Sequence, residues 1–300
     1  LKDDVDAVIT QWQHQQQQQQ QMEVLRKYKP KTLQRKQFFG YIGIPSLAAA
    51  GTSGIVMIVV PKYGNNKTII CNKQLEKMKT LTTTGNPYRV ISTPDGQGVA
   101  VLCVRDDNTW MVQVFDTSGD HKRDIPLQDT IKPKAIAVNS IGQMVIADGT
   151  NGSLVFINWQ SGKVEHTTPS GLFDTDYYTF IAVTKQDHII ISNYGTNNIR
   201  CVDNRGEEVF TYSGEGKNAL NHPRGVCVDT FGNILVADNY DNRVQLLSPD
   251  GNFIRHVLSE SDELNEPWSL AMDTEDNLLI GTESRHLLAR CEAFVVKYKP

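Results

Sequence analysis

Apolar residues fall into two regimes along this chain. At the start, Leu1, Val5, Val8 and Trp12 recur at spacings of four, three and four. That is the seam of a coiled coil, and it predicts a helix. In the same register come Gln15, Gln19 and Met22, so the seam turns polar inside the glutamine run 15–21. Glutamine is a fair helix former. The helix is predicted to reach about Tyr28 and to stop at Pro30, which cannot continue the hydrogen-bond ladder. Beyond residue 36 the pattern changes to short apolar runs divided by turn residues.

Those runs repeat. A turn between two apolar runs recurs at Gly54, Gly96, Gly142, Asp187, Gly232 and Asp276, with spacings of 42, 46, 45, 45 and 44 residues. A later turn recurs at Gly119, Gly162, Gly206 and Gly251, with spacings of 43, 44 and 45. Two independent markers with one period indicate a repeat architecture. The clearest unit runs from His222-Pro223-Arg224-Gly225 to Leu258 and contains four short strands. Its first two, Val226–Val228 and Ile234–Ala237, are continuously apolar rather than alternating, as strands covered on both faces require. Four strands in about 44 residues is one blade of a β-propeller.

Six turn markers predict an all-β, six-bladed propeller over residues 37–300, after a helix in 1–30 and a linker at 31–36. The blades are expected at 44–85, 86–130, 131–174, 176–217, 221–262 and 265–299. The last is one strand short, which would leave an open sheet edge. The segment Gln37-Phe38-Phe39-Gly40-Tyr41-Ile42 is the candidate for the missing outer strand, with 37–43 pairing to the third strand of the last blade and closing the ring.

The net charge of −4 divides into +3 over residues 1–36 and −7 over the rest. A body that acidic is no general phosphate-binding surface. Cys71, Cys103, Cys201, Cys227 and Cys291 form no Cys-x-x-Cys pair, and several lie in apolar runs. They are expected to be reduced, buried thiols, a pattern that fits the cytosol. The longest apolar run, Ile55–Val60, is far too short to span a bilayer as a helix. Because the chain opens at Leu1 inside a helical pattern, it is expected to be the C-terminal part of a longer protein.

The unit Pro223-Arg224-Gly225-Val226 … Asp229-Thr230-Phe231-Gly232-Asn233-Ile234-Leu235-Val236-Ala237-Asp238 … Asn242-Arg243-Val244 … Gly251 closely resembles an NHL repeat. Ile136-Ala137-Val138 … Gly142-Gln143-Met144-Val145-Ile146-Ala147-Asp148 is a second copy, while the first, second and last blades are degenerate. A coiled-coil tail before such a propeller resembles the C-terminal half of a tripartite-motif protein. The resemblance implies RING and B-box zinc modules upstream, with ubiquitin-ligase activity there and not in this chain. It also implies a dimer through the coiled coil.

One face of a propeller collects the loops that lead into each blade and those between second and third strands, where side chains are free of packing duty. These loops carry Tyr88, Arg89, Lys134, Tyr177, Tyr178, Arg224 and Trp268 in the first group, and Tyr63, Trp110, Tyr194 and Tyr240 in the second. Aromatic and arginine side chains dominate protein-binding hot spots. The partner-binding face is therefore assigned to Tyr88, Arg89, Lys134, Tyr178, Tyr194, Arg224, Tyr240 and Trp268, with a protein partner expected. RNA is the main alternative, because stacking aromatics with Arg89, Lys132, Lys134 and Arg224 could hold a single strand. Asp106, Asp107, Asp174, Asp176, Asp262, Glu263 and Glu266 in comparable loops oppose it. Asp148, Asp238 and Arg243 repeat with the blade and are expected to cap turns. A metal-dependent lyase or lactonase is the remote alternative. The seven histidines occupy non-equivalent repeat positions, and no Gly-x-Ser-x-Gly or phosphate-binding glycine loop occurs. Neither a cofactor nor a metal site is expected.

Overall fold

A computed structural model describes residues 2–38, 43–50, 54–61, 67–72, 74–283 and 291–299. After a helix at Lys2–Lys27, every element but two single 3-10 turns is a strand, and all strand pairs are antiparallel. Five blades are each built from four consecutive strands. They cover Gly43–Leu81, Asn86–Pro126, Pro133–Thr167, Thr179–Tyr212 and Pro223–Leu258. The remaining four-stranded sheet takes Pro267–Met272, Leu278–Glu283 and Cys291–Lys297 from the C-terminal end and Lys31–Phe38 from the N-terminal end.

The expectation of a six-bladed propeller is corrected accordingly. Five, not six, are blades of continuous chain, and the last sheet is a composite of both termini. Its closing strand also lies earlier than expected. Residues 31–38, not 37–43, pair with the outer edge, in register from Lys31 opposite Lys297 to Phe38 opposite Cys291. What the sequence suggests is a linker at 31–36 is this strand. The reason is physical: outermost strands face solvent, so Lys31-Thr32-Leu33-Gln34-Arg35 carries almost no apolar signal, just as the exposed outer strand His121–Pro126 does. Arg35 fixes the join. It donates to Glu292 (3.2 Å) and Glu263 and lies over the Phe294 ring at 5.1 Å. Residues 39–42 fall outside the described chain.

The first strands of the sheets pack side by side in a closed cycle, with Pro267–Met272 meeting Gly43–Ala50. They surround a channel of about 610 Å³. Core residues lie between blades rather than in one centre. Ala100, Leu102 and Val112 meet Ile136, Met144 and Ile146 across the second and third blades, and Ile189 and Ile191 meet Val145 and Ala147 across the third and fourth. The inner and middle strands of these blades are thus covered on both faces, which is why their sequences are continuously apolar. The helix joins one of these layers. Leu25 is buried and Met22 half-buried against the core shared by the fifth blade and the composite sheet. The side chains of Val5, Val8 and Trp12 lie outside the described residues.

Candidate recognition site at the channel mouth

The inner strands align from their leading ends. Tyr88, Lys134, Thr179, Arg224 and Trp268 hold one equivalent position, and Arg89, Ala135, Phe180, Gly225 and Ser269 hold the next. At this second level most blades carry a small side chain and two carry a long one. Gly225 is required there. A Cβ would stand 2.7 Å from the backbone nitrogen of Leu270, so glycine lets adjacent inner strands close up. The space left by the small residues is filled by Arg89 and Phe180. The guanidinium carbon of Arg89 lies 4.6 Å from the Tyr88 ring centre and 4.4 Å from that of Phe180. Phe180 belongs to the fourth blade and Arg89 to the second, which are not neighbours, so this contact reaches across the mouth of the channel.

Beside it sits a second arginine. Arg224 stacks 3.3 Å from the Trp268 ring centre and stands 4.7 Å from Tyr194 and 5.0 Å from Tyr178. Contacts of this kind are worth about 0.5–2 kcal/mol each, more when water is excluded. The rings also hold one another. Tyr178 meets Trp268 edge-on at 5.3 Å, Tyr177 stacks on Tyr194 at 5.3 Å, and His222 stacks on Tyr240 at 4.0 Å. The Tyr194 and Tyr240 hydroxyls share a hydrogen bond of 2.9 Å. On the far side of Arg89, Tyr88 meets Trp110 edge-on at 5.5 Å.

Two equivalent asparagines fix these loops. Asn197 and Asn242 both adopt left-handed backbone, a conformation asparagine tolerates. Their side-chain oxygens accept from the backbone N–H of His222 (2.7 Å) and Glu266 (2.8 Å), tying the fourth blade to the fifth and the fifth to the last. Asp148 accepts from the N–H of Lys132 and Thr150, each at 2.9 Å. Asp238 accepts from Asn221 N–H (2.6 Å), Arg243 (2.6 Å) and Gln245 (2.8 Å), while its burial pushes its pKa up. These charges are structural and hold the loop face together.

Of the residues singled out in the sequence, Tyr88, Arg89, Tyr178, Tyr194, Arg224, Tyr240 and Trp268 join this one layer. Lys134 does not; its stem lies over Gly149. Burial sorts the layer into two tiers. Arg89, Arg224 and Trp268 are only 4, 5 and 7% exposed, whereas Tyr177, Tyr178 and Tyr240 are 45, 38 and 40% exposed. Phe180 and His222 are members that the sequence reading passed over: Phe180 as part of an apolar strand, His222 as an isolated histidine. Tyr63 lies outside the described residues. Among the described residues no group of three His, Cys, Asp or Glu is placed to hold a metal ion, and no helix is long and apolar enough to cross a membrane. Cys71, Cys103, Cys201 and Cys227 are buried, and burial pushes the thiols of Cys103 and Cys201 up to about 12.

Residues 220–245 match the NHL repeat family. The chain carries an NHL repeat. It is similar to tripartite-motif proteins: 20% identical over 212 residues to the E3 ubiquitin-protein ligase TRIM56 of Bos taurus, covering 68% of this chain and 29% of that protein. Shorter matches are to Protein lin-41 of Caenorhabditis elegans, 49% over 45 residues (15% of this chain, 4% of that one), and to the E3 ubiquitin-protein ligase TRIM71 of Xenopus tropicalis, 45% over 56 residues (18% and 7%). The chain thus spans less than a third of the length of these relatives. Among solved structures, a Bacteroides thetaiotaomicron protein of unknown function matches 89% of this chain and 76% of its own, with a TM-score of 0.68 at 14% identity. A streptogramin B lyase matches 87% of this chain and 97% of its own, with a TM-score of 0.56 at 11% identity. At such identities these two likenesses concern the fold alone.

Proposed function

We propose that this chain is a non-catalytic platform that captures a protein partner on its loop face. The observation that carries this reading is the layered site. The exposed Tyr178 stands on buried Arg224 and Trp268, and the exposed Tyr177 and Tyr240 pack on Tyr194, which lies against the same arginine. Rigid aromatic side chains over a packed base bury much area with little lost rotamer freedom, which is how protein-binding hot spots are built. The two arginines lie beneath the rings, so the surface presents tyrosine rather than a field of positive charge. That arrangement favours protein over RNA, whose binding rests on phosphate neutralisation. Two of the relatives are named E3 ubiquitin-protein ligases. The captured protein is accordingly a substrate or adaptor for a catalytic module elsewhere in the whole protein. Buried thiols inside apolar strands suit a cytosolic setting.

The test is quantitative capture of cross-linked partners by the full chain. Tyr178→Ala with Tyr240→Ala should cut capture about thirty-fold, equivalent to about 2 kcal/mol. Met78→Ala, an exposed apolar change on the outer edge of the first blade, should leave it unchanged. Capture that vanishes on nuclease treatment and falls steeply with salt would contradict protein recognition and support RNA.

A further inference from the structure

The buried arginine of the second blade has no counter-charge among the described residues. Arg89 forms no ion pair among the described residues, and its single hydrogen bond goes from Nη1 to the carbonyl of Tyr88 at 3.3 Å. Its Nε and Nη2 atoms are buried without a hydrogen-bond partner. A guanidinium does not shed its proton in a protein, so it remains a charge removed from water. Left uncompensated, such a charge is strongly unfavourable. Nε and Nη2 form the edge of the guanidinium that grips two oxygens at once.

Nearby inner strands repeat the pattern. Thr179 Oγ1, Trp268 Nε1 and Ser269 Oγ are also buried without a partner. They occupy the same two leading positions of their strands as Tyr88 and Arg89 do in theirs. Orphaned buried donors are rare in folded proteins. Arg89 and Ser269 share one level of the inner strands and Thr179 and Trp268 the level before it, so the unmet donors gather at the leading ends of these strands. Phe180 and Ser269, at the level of Arg89, also line the channel.

We infer that Arg89, at the channel mouth, receives a carboxylate carried by the protein partner, either an Asp or Glu side chain or a chain end. This rests on the protein-recognition reading and names the group it would grip. A carboxylate fits better than a phosphodiester. It presents two oxygens to one guanidinium edge and carries a single charge, and its stem can lie against Tyr88 and Phe180. A nucleic acid would bring a run of phosphates toward the exposed Asp176, Asp241, Asp262 and Glu263, where like charges repel.

The experiment follows the Nε–H signal of Arg89 by NMR in the full chain labelled at arginine Nε, assigned by its loss in Arg89→Lys. The probes are N-acetylglycine and N-acetylglutamine for a chain end, the α-amide of N-acetylglutamate for a side chain, acetamide as neutral control and inorganic phosphate. Saturable shifts with one or more carboxylates, and none with acetamide, are expected. A preference for N-acetylglycine and N-acetylglutamine over N-acetylglutamate amide would mark a chain end, and the reverse a side chain. No shift with any carboxylate, or a larger one with phosphate, would overturn the inference. A second readout uses thermal unfolding. The same carboxylates should raise the melting temperature of the parent protein and leave Arg89→Met unmoved; equal stabilisation of both would overturn it. Capture that depends on Tyr178 and Tyr240 but is indifferent to Arg89→Lys would sink the carboxylate site and leave the platform standing.

Discussion

Arg224 and Trp268 lie face to face beneath Tyr178 and Tyr194 with almost no exposed surface, so their first task is to hold the layer rigid. Truncating Trp268 to alanine removes a large buried ring and leaves a cavity, with an expected cost of about 3–5 kcal/mol. Urea unfolding should show that loss, and Trp268→Phe should recover part of it by keeping a ring over the guanidinium. A normal urea midpoint with abolished capture would instead make Trp268 a direct contact. The sequence puts both residues in leading loops but cannot show their depth. Leading loops read as exposed, and only the cross-channel neighbours Tyr178 and Phe180 reveal that the arginines are covered. His222 was illegible for a similar reason. Its ring partner Tyr240 follows 18 residues later, and the left-handed turn that aims it depends on Asn197 of the preceding blade.

At the scale of elements, the two chain ends secure the ring at neighbouring points. Lys31–Phe38 covers the edge of the last sheet, so deleting it exposes the unpaired backbone of Cys291–Lys297. The full chain without 31–38 should melt at a sharply lower temperature by calorimetry; an unchanged curve would reject the closure. The other end closes over the fifth blade. Tyr298 is fully buried and donates to Asp229 at 2.7 Å, and Lys299 pairs with Asp276 and stands 4.1 Å above the Phe231 ring. Burial opposes ionisation of Asp276, but the hydrogen bonds and charge of Lys299, with Thr230, outweigh it and hold its pKa below the ordinary 3.8. A depressed carboxylate pKa stabilises the fold above the unfolded value, and that contribution is lost as pH falls through the folded value. The urea midpoint of the parent should therefore fall more than that of Asp276→Asn between pH 6 and about pH 3. Parallel declines would deny the lock. The 44-residue beat made the blades legible, because inner strands must be apolar on both faces. The closing strand was hidden, since an outer strand shows the composition of a linker.

Over the whole molecule, a closed cycle of inter-blade cores fixes inner-strand ends that are far apart in sequence within one channel mouth. Residues from 88 to 268 can thus form a single recognition layer, while the turns at Ile141 and Phe231 lie at the opposite ends of the same strands. The two faces differ in what they offer: tyrosines on a cationic floor at one, the acidic Asp229 and Asp276 lock at the other. Hydrogen–deuterium exchange of the full chain, free and bound to its captured partner, tests this polarity most directly. Binding should slow exchange in the loops at 176–178, 194–197, 221–224 and 239–242 and leave the turns at 139–142 and 229–232 unchanged. Protection of those turns, with the loops indifferent, would contradict the account.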